Sequence, residues 1–453
     1  MALRDQLASY AGAEGEGLLL SDGSVNPQAK GRIPTQEEMQ YEYVAPGDDA
    51  LLPWGIIFTA DWKAPASGMG KHSRQQVTAL AMAGLPIRLE SLISRSVFTD
   101  DLHPEVRSVA YLENVTLTQT LFAIKHLVIH DADQLRRAIC SSAATVSQEH
   151  LNQVYASTII YTSWERSTVD PEIVGVLNRV GQVWVPCSTN ARVFMDSGVN
   201  NVFVIPYPFD PNTCDIAAPR GKEDVPEGRR YYNIGKWEPR KNQHRIIGAF
   251  LLAHTPADRA SLLLKTSKFS GRWAGYPTPE ESVQCWLSDA DVAANGWTQE
   301  ALDRRVRIIN EEVSDAEVHK LHKMNNIYVS ASCGEAWDIP AFEAKCAGNR
   351  LVHVGYGGSE DYADPLDVDV PYRMVPVHPG YQWEADAEWA QCTVEELAAC
   401  MKSVVVPVRR IMPSHIVTKF SNYAVAKMMR DAILELAHRH NCSDLLIRSG
   451  GFG

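Results

Sequence analysis

Short apolar runs alternate with amphipathic helical stretches along most of this chain, and that alternation restricts the fold more than any other feature. Gly55 to Ala60 (GIIFTA) is such a run. It is followed by the loop Asp61 to His72 containing Ser67-Gly68-Met69-Gly70, a helical stretch over Arg74 to Ala83, and a second run at Ile87 to Leu89. Strand, glycine loop, helix and strand in that order make a βαβ unit, whose parallel strands are buried on both faces. Further strands are expected at Val106 to Leu112, Leu127 to His130, Thr158 to Ser163, Gln182 to Pro186 and Val202 to Pro206, with helices over Pro171 to Val180 and Thr189 to Ser197.

The pattern pauses and then restarts. Pro208 to Pro226 is proline-rich and poor in apolar residues. After it, strands are expected at Tyr231 to Gly235, Ser261 to Lys265, Arg305 to Ile309, Ile327 to Ser330 and Arg350 to Val354. Helices are expected at Gln243 to Ala253, Asp315 to Lys323, Ile339 to Ala347 and Ser421 to His438. A chain of 453 residues exceeds one ordinary core. The reading is therefore α/β, with two doubly wound Rossmann-like domains facing a central cleft. An extension spans 1–48, a first Rossmann-like domain 49–212 and a second 213–410. A C-terminal helix and tail over 411–453 pack back toward the first domain.

A net charge of −12 argues against an extended nucleic-acid footprint, because phosphate contacts require lysine and arginine. No apolar stretch approaches the length of a membrane span, and Met1 to Tyr10 lacks the pattern of a secretory signal. Nine dispersed cysteines without a C-x-x-C pair read as reduced thiols, so a cytoplasmic protein is expected, with peripheral membrane contact left open.

The chemistry concentrates in Cys333 to Gly348, CGEAWDIPAFEAKCAG. Pro340 suits a helix's first turn, which places Glu335 on the preceding loop and Glu343 about one turn inside the helix. Exposed N–H groups at such a helix start favour an anion. Two carboxylates beside an anion site suit a nucleotide sugar, with hydroxyls for the carboxylates and phosphate for the N–H groups.

This segment resembles the E-x7-E signature of retaining glycosyltransferase family 4, of GT-B fold, through Glu335, Ile339-Pro340, Glu343-Ala344, Ala347-Gly348 and Gly357-Gly358-Ser359-Glu360. The resemblance implies that Glu335 faces the donor sugar and the reacting centre, and that Glu343 holds the nucleotide ribose. Gly235-Lys236-Trp237-Glu238-Pro239-Arg240-Lys241 is similar to the family's diphosphate loop, which gives Lys236 and Lys241 the role of stabilising the leaving diphosphate. Tyr161 to Asp210 is similar to a subset of members. His130, expected to end a strand, falls where many members carry an acceptor-side histidine, and Gly68 and Gly70 fall in their glycine-rich loop.

Ala336, Trp337, Asp338, Ile339, Lys265 and Glu360 complete the expected donor site. Members usually carry glycine where Ala336 and Asp338 stand, so Asp338 changes the surface that the sugar meets or supplies another hydroxyl acceptor. Glu165, after Trp164, reads as a surface loop charge in preference to a cleft carboxylate. Asp367-Val368-Asp369 has metal-motif spacing but lies beyond the donor helix.

The expected activity is transfer of a sugar, with retention, from a UDP- or GDP-sugar to a hydroxyl acceptor (glycan, lipid, small molecule or modified base). No metal is expected to be required, because the lysines and the helix start supply positive charge. A phosphorylase or epimerase of the same fold, a non-catalytic sugar-nucleotide-binding relative and a DNA-base-modifying glycosyltransferase are the alternatives.

Overall fold

The computed structural model describes residues 51–63, 68–92, 108–140, 146–209, 227–266, 273, 275–311, 313–379, 381, 386–407 and 411–444. The extension over 1–48, most of the proline-rich segment and Asp210 lie outside them.

Two six-stranded parallel sheets organise the chain. The first contains β1 (Gly55–Ala60), β2 (Ile87–Ser91), β3 (Thr120–His126), β4 (Thr158–Tyr161), β5 (Gln182–Val185) and β6 (Val202–Val204), in the order β2-β1-β3-β4-β5-β6. The second contains β7 (Arg229–Ile234), β8 (Ala260–Thr266), β9 (Val306–Asn310), β10 (Ile327–Ser330), β11 (Arg350–Val354) and β12 (Val368–Val370), in the order β9-β8-β7-β10-β11-β12. Strand order therefore reverses between β1 and β3 in one sheet and between β7 and β10 in the other. In doubly wound sheets ligands bind at such reversals, beyond the carboxyl ends of the strands. Every residue of β4, β5 and β10 is buried, as strands covered on both faces require.

Two expected strands are corrected. Leu127 to His130 is not a strand, since the paired residues are Thr120–His126, with Phe122 to Lys125 in register with Ile56 to Thr59. Both stretches are short apolar runs ending in histidine, and periodicity alone does not separate them. The described part of the strand expected over 106–112 is not a strand either: from Ser108 to Asn114 the chain is helical, with a 3-10 turn at Tyr111–Asn114.

The helices that bear on the site are α1 (Gly68–Met82), α2 (Ser188–Asp196), α3 (Gln243–Ala253), α4 (Asp315–Met324), α5 (Ile339–Cys346), α6 (Ser359–Tyr362) and α7 (Asn422–Arg439). α1 starts earlier than expected, so Gly68 and Gly70 form its first turn and not a free loop. A Cβ on Gly68 would lie 2.8 Å from Ile339 Cδ1, and its absence lets the starts of α1 and α5 approach each other across the two halves. Ser314 and Glu317 cap α4 reciprocally, each satisfying a backbone N–H of the other.

α7 packs on the first half. Gln182 Nε2 donates to Ala432 O at 2.6 Å, and Arg430 Nη1 donates to Ala83 O at 3.1 Å. Beside it the two chain crossings touch: Phe209 N–H donates to Phe420 O at 2.6 Å, and Phe209 bridges to Ser421. An aromatic cluster of Trp337, Phe342, Tyr362 and Phe420, with centroids 5.2–5.6 Å apart for the contacting pairs, fills the space under α5. Among the described residues no helix is long and apolar enough to cross a membrane.

Candidate functional site

The loops leaving β7 and β10, neighbours at the strand-order reversal, carry most of the charge. Glu335 follows β10 and is buried. Its Oε1 accepts from Ser332 Oγ at 2.5 Å and from Lys241 Nζ, with Arg240 Nη1 at 3.1 Å. Burial alone would push this carboxyl up, but Lys241 and Arg240 together outweigh it and hold it near about 2. Arg240 also lies 3.0 Å from Glu238 and 3.1 Å from Glu165, and its Nη1 donates to Gly334 O at 2.6 Å.

Glu165 belongs to the first half of the chain, and the expectation that it is a surface loop charge is corrected. Its carboxylate meets Arg240 at the seam between the halves. Its backbone presses on Gly334 so closely that a Cβ there would run into Glu165 O.

The glycine pair 357–358 buttresses the same loop. Gly357 has φ +104°, and a Cβ on it would collide with Glu335 O; a Cβ on Gly358 would collide with the Trp337 backbone. Gly358 N–H donates to Glu335 O at 3.1 Å. Asp338 starts α5 with φ 58° and ψ 72°, left-handed backbone of the kind glycine adopts freely. Ser330 Oγ donates to Asp338 Oδ2 at 2.6 Å. Burial, followed by the nearby Glu335 charge, pushes the Asp338 carboxyl up to about 6.

Glu343 sits one turn inside α5. Lys71 Nζ from α1 donates to its Oε1 at 2.5 Å, and His322 Nε2 from α4 lies 3.4 Å from Oε2. Asn349 Nδ2 donates to Tyr232 OH at 2.7 Å, and that hydroxyl lies 2.7 Å from His322 Nδ1. A tyrosine proton given to Nδ1 leaves Nε2–H facing Glu343. Burial raises the Glu343 carboxyl, but Lys71 and then His322 more than reverse this and hold it well below the usual carboxylate range.

The remaining expected residues distribute unevenly. Lys236 is exposed on the loop after β7, and the neighbouring Trp237 anchors that loop by donating Nε1–H to Pro277 O at 2.7 Å. Lys265 lies in β8 beside that loop, its carbonyl accepting from Gly235 N–H at 3.0 Å. Ala336 is buried, the Trp337 indole points into the aromatic cluster, and Ile339 meets Gly68.

Glu360 turns away toward α2, accepting from Thr189 Oγ1, with Arg192 Nη2 at 3.2 Å. Asp361 beside it accepts from Ser188 N–H at 2.8 Å. His130 is exposed four residues beyond the end of β3, its N–H donating to Gln134 Oε1 at 3.2 Å, while His126 is the histidine that ends the strand. Asp367 lies 2.5 Å from Lys345 and Asp369 3.0 Å from His353, pairs that brace α5 and β11. Among the described residues no group of three His, Cys, Asp or Glu is placed to hold a metal ion.

Sequence reasoning missed Arg240, Lys71, His322 and Ser332. Arg240 and Ser332 lie within or beside motifs already singled out and were open to notice. Lys71 follows Gly70 directly, but nothing local links it to a carboxylate 272 positions away.

No protein-family model matches the sequence, and no curated protein is similar to it. Solved structures are similar. One is Anabaena HepE in complex with UDP and glucose, at 12% identity over 84% of this chain and 99% of that one, TM-score 0.52. Another is a glycosyltransferase from Rickettsia africae, at 12% identity over 85% and 98%, TM-score 0.52. A third is the lipopolysaccharide outer core galactosyltransferase WaaB, at 12% identity over 84% and 99%, TM-score 0.50. At such identity the fold is what is shared, and with its two six-stranded parallel sheets this chain has the GT-B architecture.

Proposed function

We propose that this chain transfers a sugar from a nucleotide-sugar donor, a UDP- or GDP-sugar, to a hydroxyl acceptor with retention of anomeric configuration. The donor half is the second sheet with its loops, from 213–410, and the acceptor half is 49–212. The observation that carries the reading is the node of Lys241, Arg240 and Glu335 at the strand-order reversal, with Glu343 one turn inside the adjoining helix.

Each group has work suited to its surroundings. Glu343, held ionised, accepts from the ribose hydroxyls. Lys241, on the same loop as exposed Lys236, stabilises the charge that grows on the β-phosphate as the glycosidic bond breaks. Arg240 is a positioning residue: it fixes Glu335 and draws Glu165 across the seam. Glu335, held ionised by two cations, accepts from a donor-sugar hydroxyl and is a poor proton donor. The departing phosphate then takes the acceptor's proton on the face it leaves, which is the course that gives retention. With cations supplied by the chain, no divalent metal is required.

The test is a panel of UDP- and GDP-sugars in excess chelator, reading released nucleotide and, by NMR, the anomeric configuration of the product. Turnover of one donor to a retained product is expected. Absence of nucleotide release from every donor, together with absence of UDP and GDP binding by calorimetry, would remove the reading; inversion would remove its stereochemical half.

A further inference from the structure

Helix α2 of the first half starts on a weak cap of its own. The residue before it is Cys187, where Ser, Thr, Asp or Asn usually stands, and its thiol meets Asn190 N–H at 3.4 Å. Sulfur is a poor acceptor, so the first turn, at the positive end of the helix dipole, is served better by a carboxylate. The second half supplies one. Asp361, on α6, takes both donors of Ser188, the N–H on Oδ2 at 2.8 Å and the hydroxyl on Oδ1. Beside it Glu360 accepts from Thr189 Oγ1, with Arg192 Nη2 at 3.2 Å. Ser188 and Asp361 are 173 positions apart, so this cap is complete while the two halves are together.

The other face of α6 holds the turn that carries Glu335. Asp361 N–H donates to Gly358 O at 3.1 Å, and Gly358 N–H donates to Glu335 O at 3.1 Å. Two hydrogen bonds therefore connect the backbone of Asp361 with that of Glu335. Tyr362, wholly buried, brings its hydroxyl to 2.9 Å from Trp337 O and 3.1 Å from Asp338 O. Neither Gly357 nor Gly358 has room for a Cβ against this turn. Packing that close passes a displacement on instead of absorbing it, so α6 cannot shift without moving the turn.

We propose that Asp361 is a positioning residue for sugar transfer: by capping α2 it lets the meeting of the halves set, through α6, the backbone that carries Glu335. Glu335 is then held for reaction when the first half is in place, which is the order an acceptor-dependent transfer requires. Glu360 contributes less, because its partner Arg192 is exposed. As a role in transfer this rests on the glycosyl-transfer reading; the coupling of α2 to the Glu335 turn does not.

The link can be cut from the far side. Ser188→Pro removes both donors to Asp361, yet proline suits the first position of a helix, and Cys187 ahead of it is already extended at φ −143° and ψ 163°. From the near side, Asp361→Leu removes the acceptor, and Asp361→Asn keeps one oxygen of the two. Amide exchange on the full chain reads the Gly358 N–H against the amides of β7 and β10. Exchange at Gly358 should quicken by roughly tenfold or more in Ser188→Pro, although the substitution lies in the other half, with β7 and β10 unchanged. For the UDP-sugar turned over in the panel above, kcat should fall by roughly tenfold or more in Ser188→Pro and Asp361→Leu, while UDP affinity holds within about threefold. Asp361→Asn should fall between Asp361→Leu and the parent.

Unchanged Gly358 exchange in folded Ser188→Pro, or unchanged kcat in folded Asp361→Leu, would overturn the proposal. So would loss of kcat, UDP affinity and thermal midpoint together, which marks a contact that serves folding alone. A variant that fails to fold leaves the one on the opposite side of the link to report. UDP titrated into the same samples separates the two readings. Quickened exchange without UDP binding or turnover removes the donor reading and keeps the coupling, and UDP binding with unchanged exchange does the reverse.

Discussion

Lys71 and Glu343 stand 272 residues apart in sequence and meet as an ion pair, Nζ to Oε1 at 2.5 Å, across the seam between the two sheets. Each comes from the first or second turn of a helix that begins at that seam, α1 on one side and α5 on the other. The carboxylate that the nucleotide ribose is proposed to use is therefore also the one that ties the halves together.

Lys71→Met should destabilise the chain by about 3 kcal/mol, the low end for removing one partner of a buried pair, because Lys71 keeps some contact with solvent. Adding Glu343→Gln should restore part of that loss, since the uncompensated charge goes with it. Denaturant unfolding of the two single variants and the double variant measures this, and additive losses would show that the pair is not coupled. The pH dependence has a definite sign. Glu343 is held below its ordinary range in the fold, so its contribution is complete at neutral pH and decays as pH falls below roughly 4.

Glu343→Ala should weaken UDP binding by roughly ten- to a hundredfold, the worth of a hydrogen bond to a charged group. Calorimetry on the folded variant decides the matter, and unchanged affinity would take Glu343 out of the donor site.

Lys241→Ala should lower kcat by on the order of 10²- to 10³-fold with a smaller effect on KM, because the phosphate gains charge only as the bond breaks. Lys236→Ala should do likewise to a lesser degree, its ammonium being exposed to solvent. A rise in KM at constant kcat would mean that these lysines bind ground state and transition state alike.

Asp338→Asn isolates the third acid. Burial and Glu335 raise the Asp338 carboxyl to about 6 in the fold, above its unfolded value near roughly 4. The parent's stability should therefore fall as pH rises from roughly 4 through 6, a cost that Asn does not carry. Asn tolerates the left-handed backbone at this position and can still accept from Ser330. Stability of the variant relative to the parent should improve between pH 5 and pH 8, and a constant difference across that range would refute the assignment.

What the sequence disclosed depended on how local each feature is. Pro340 fixes the start of α5 within one turn, and Glu335 and Glu343 fall into place from it. The strands at Ile327–Ser330 and Arg350–Val354 were legible because each is an isolated apolar run. By contrast, LFAIKH and LVIH both read as a strand ending in histidine, and only pairing with β1 selects the first. Glu165 and Glu360 looked like ordinary loop or donor carboxylates. Their partners, Arg240 for one and Thr189 with Arg192 for the other, sit in the opposite half of the chain and leave no trace in neighbouring residues.

The chain passes from one half to the other twice, and the two passages are fastened to each other where Phe209 N–H meets Phe420 O. A single passage would be a swivel, free to turn in any direction. Two passages joined side by side make a door hung on one post, which swings about that post but resists twisting and sliding. Any turning of one half on the other would be confined to that post, an arrangement that keeps Lys71 aligned with Glu343.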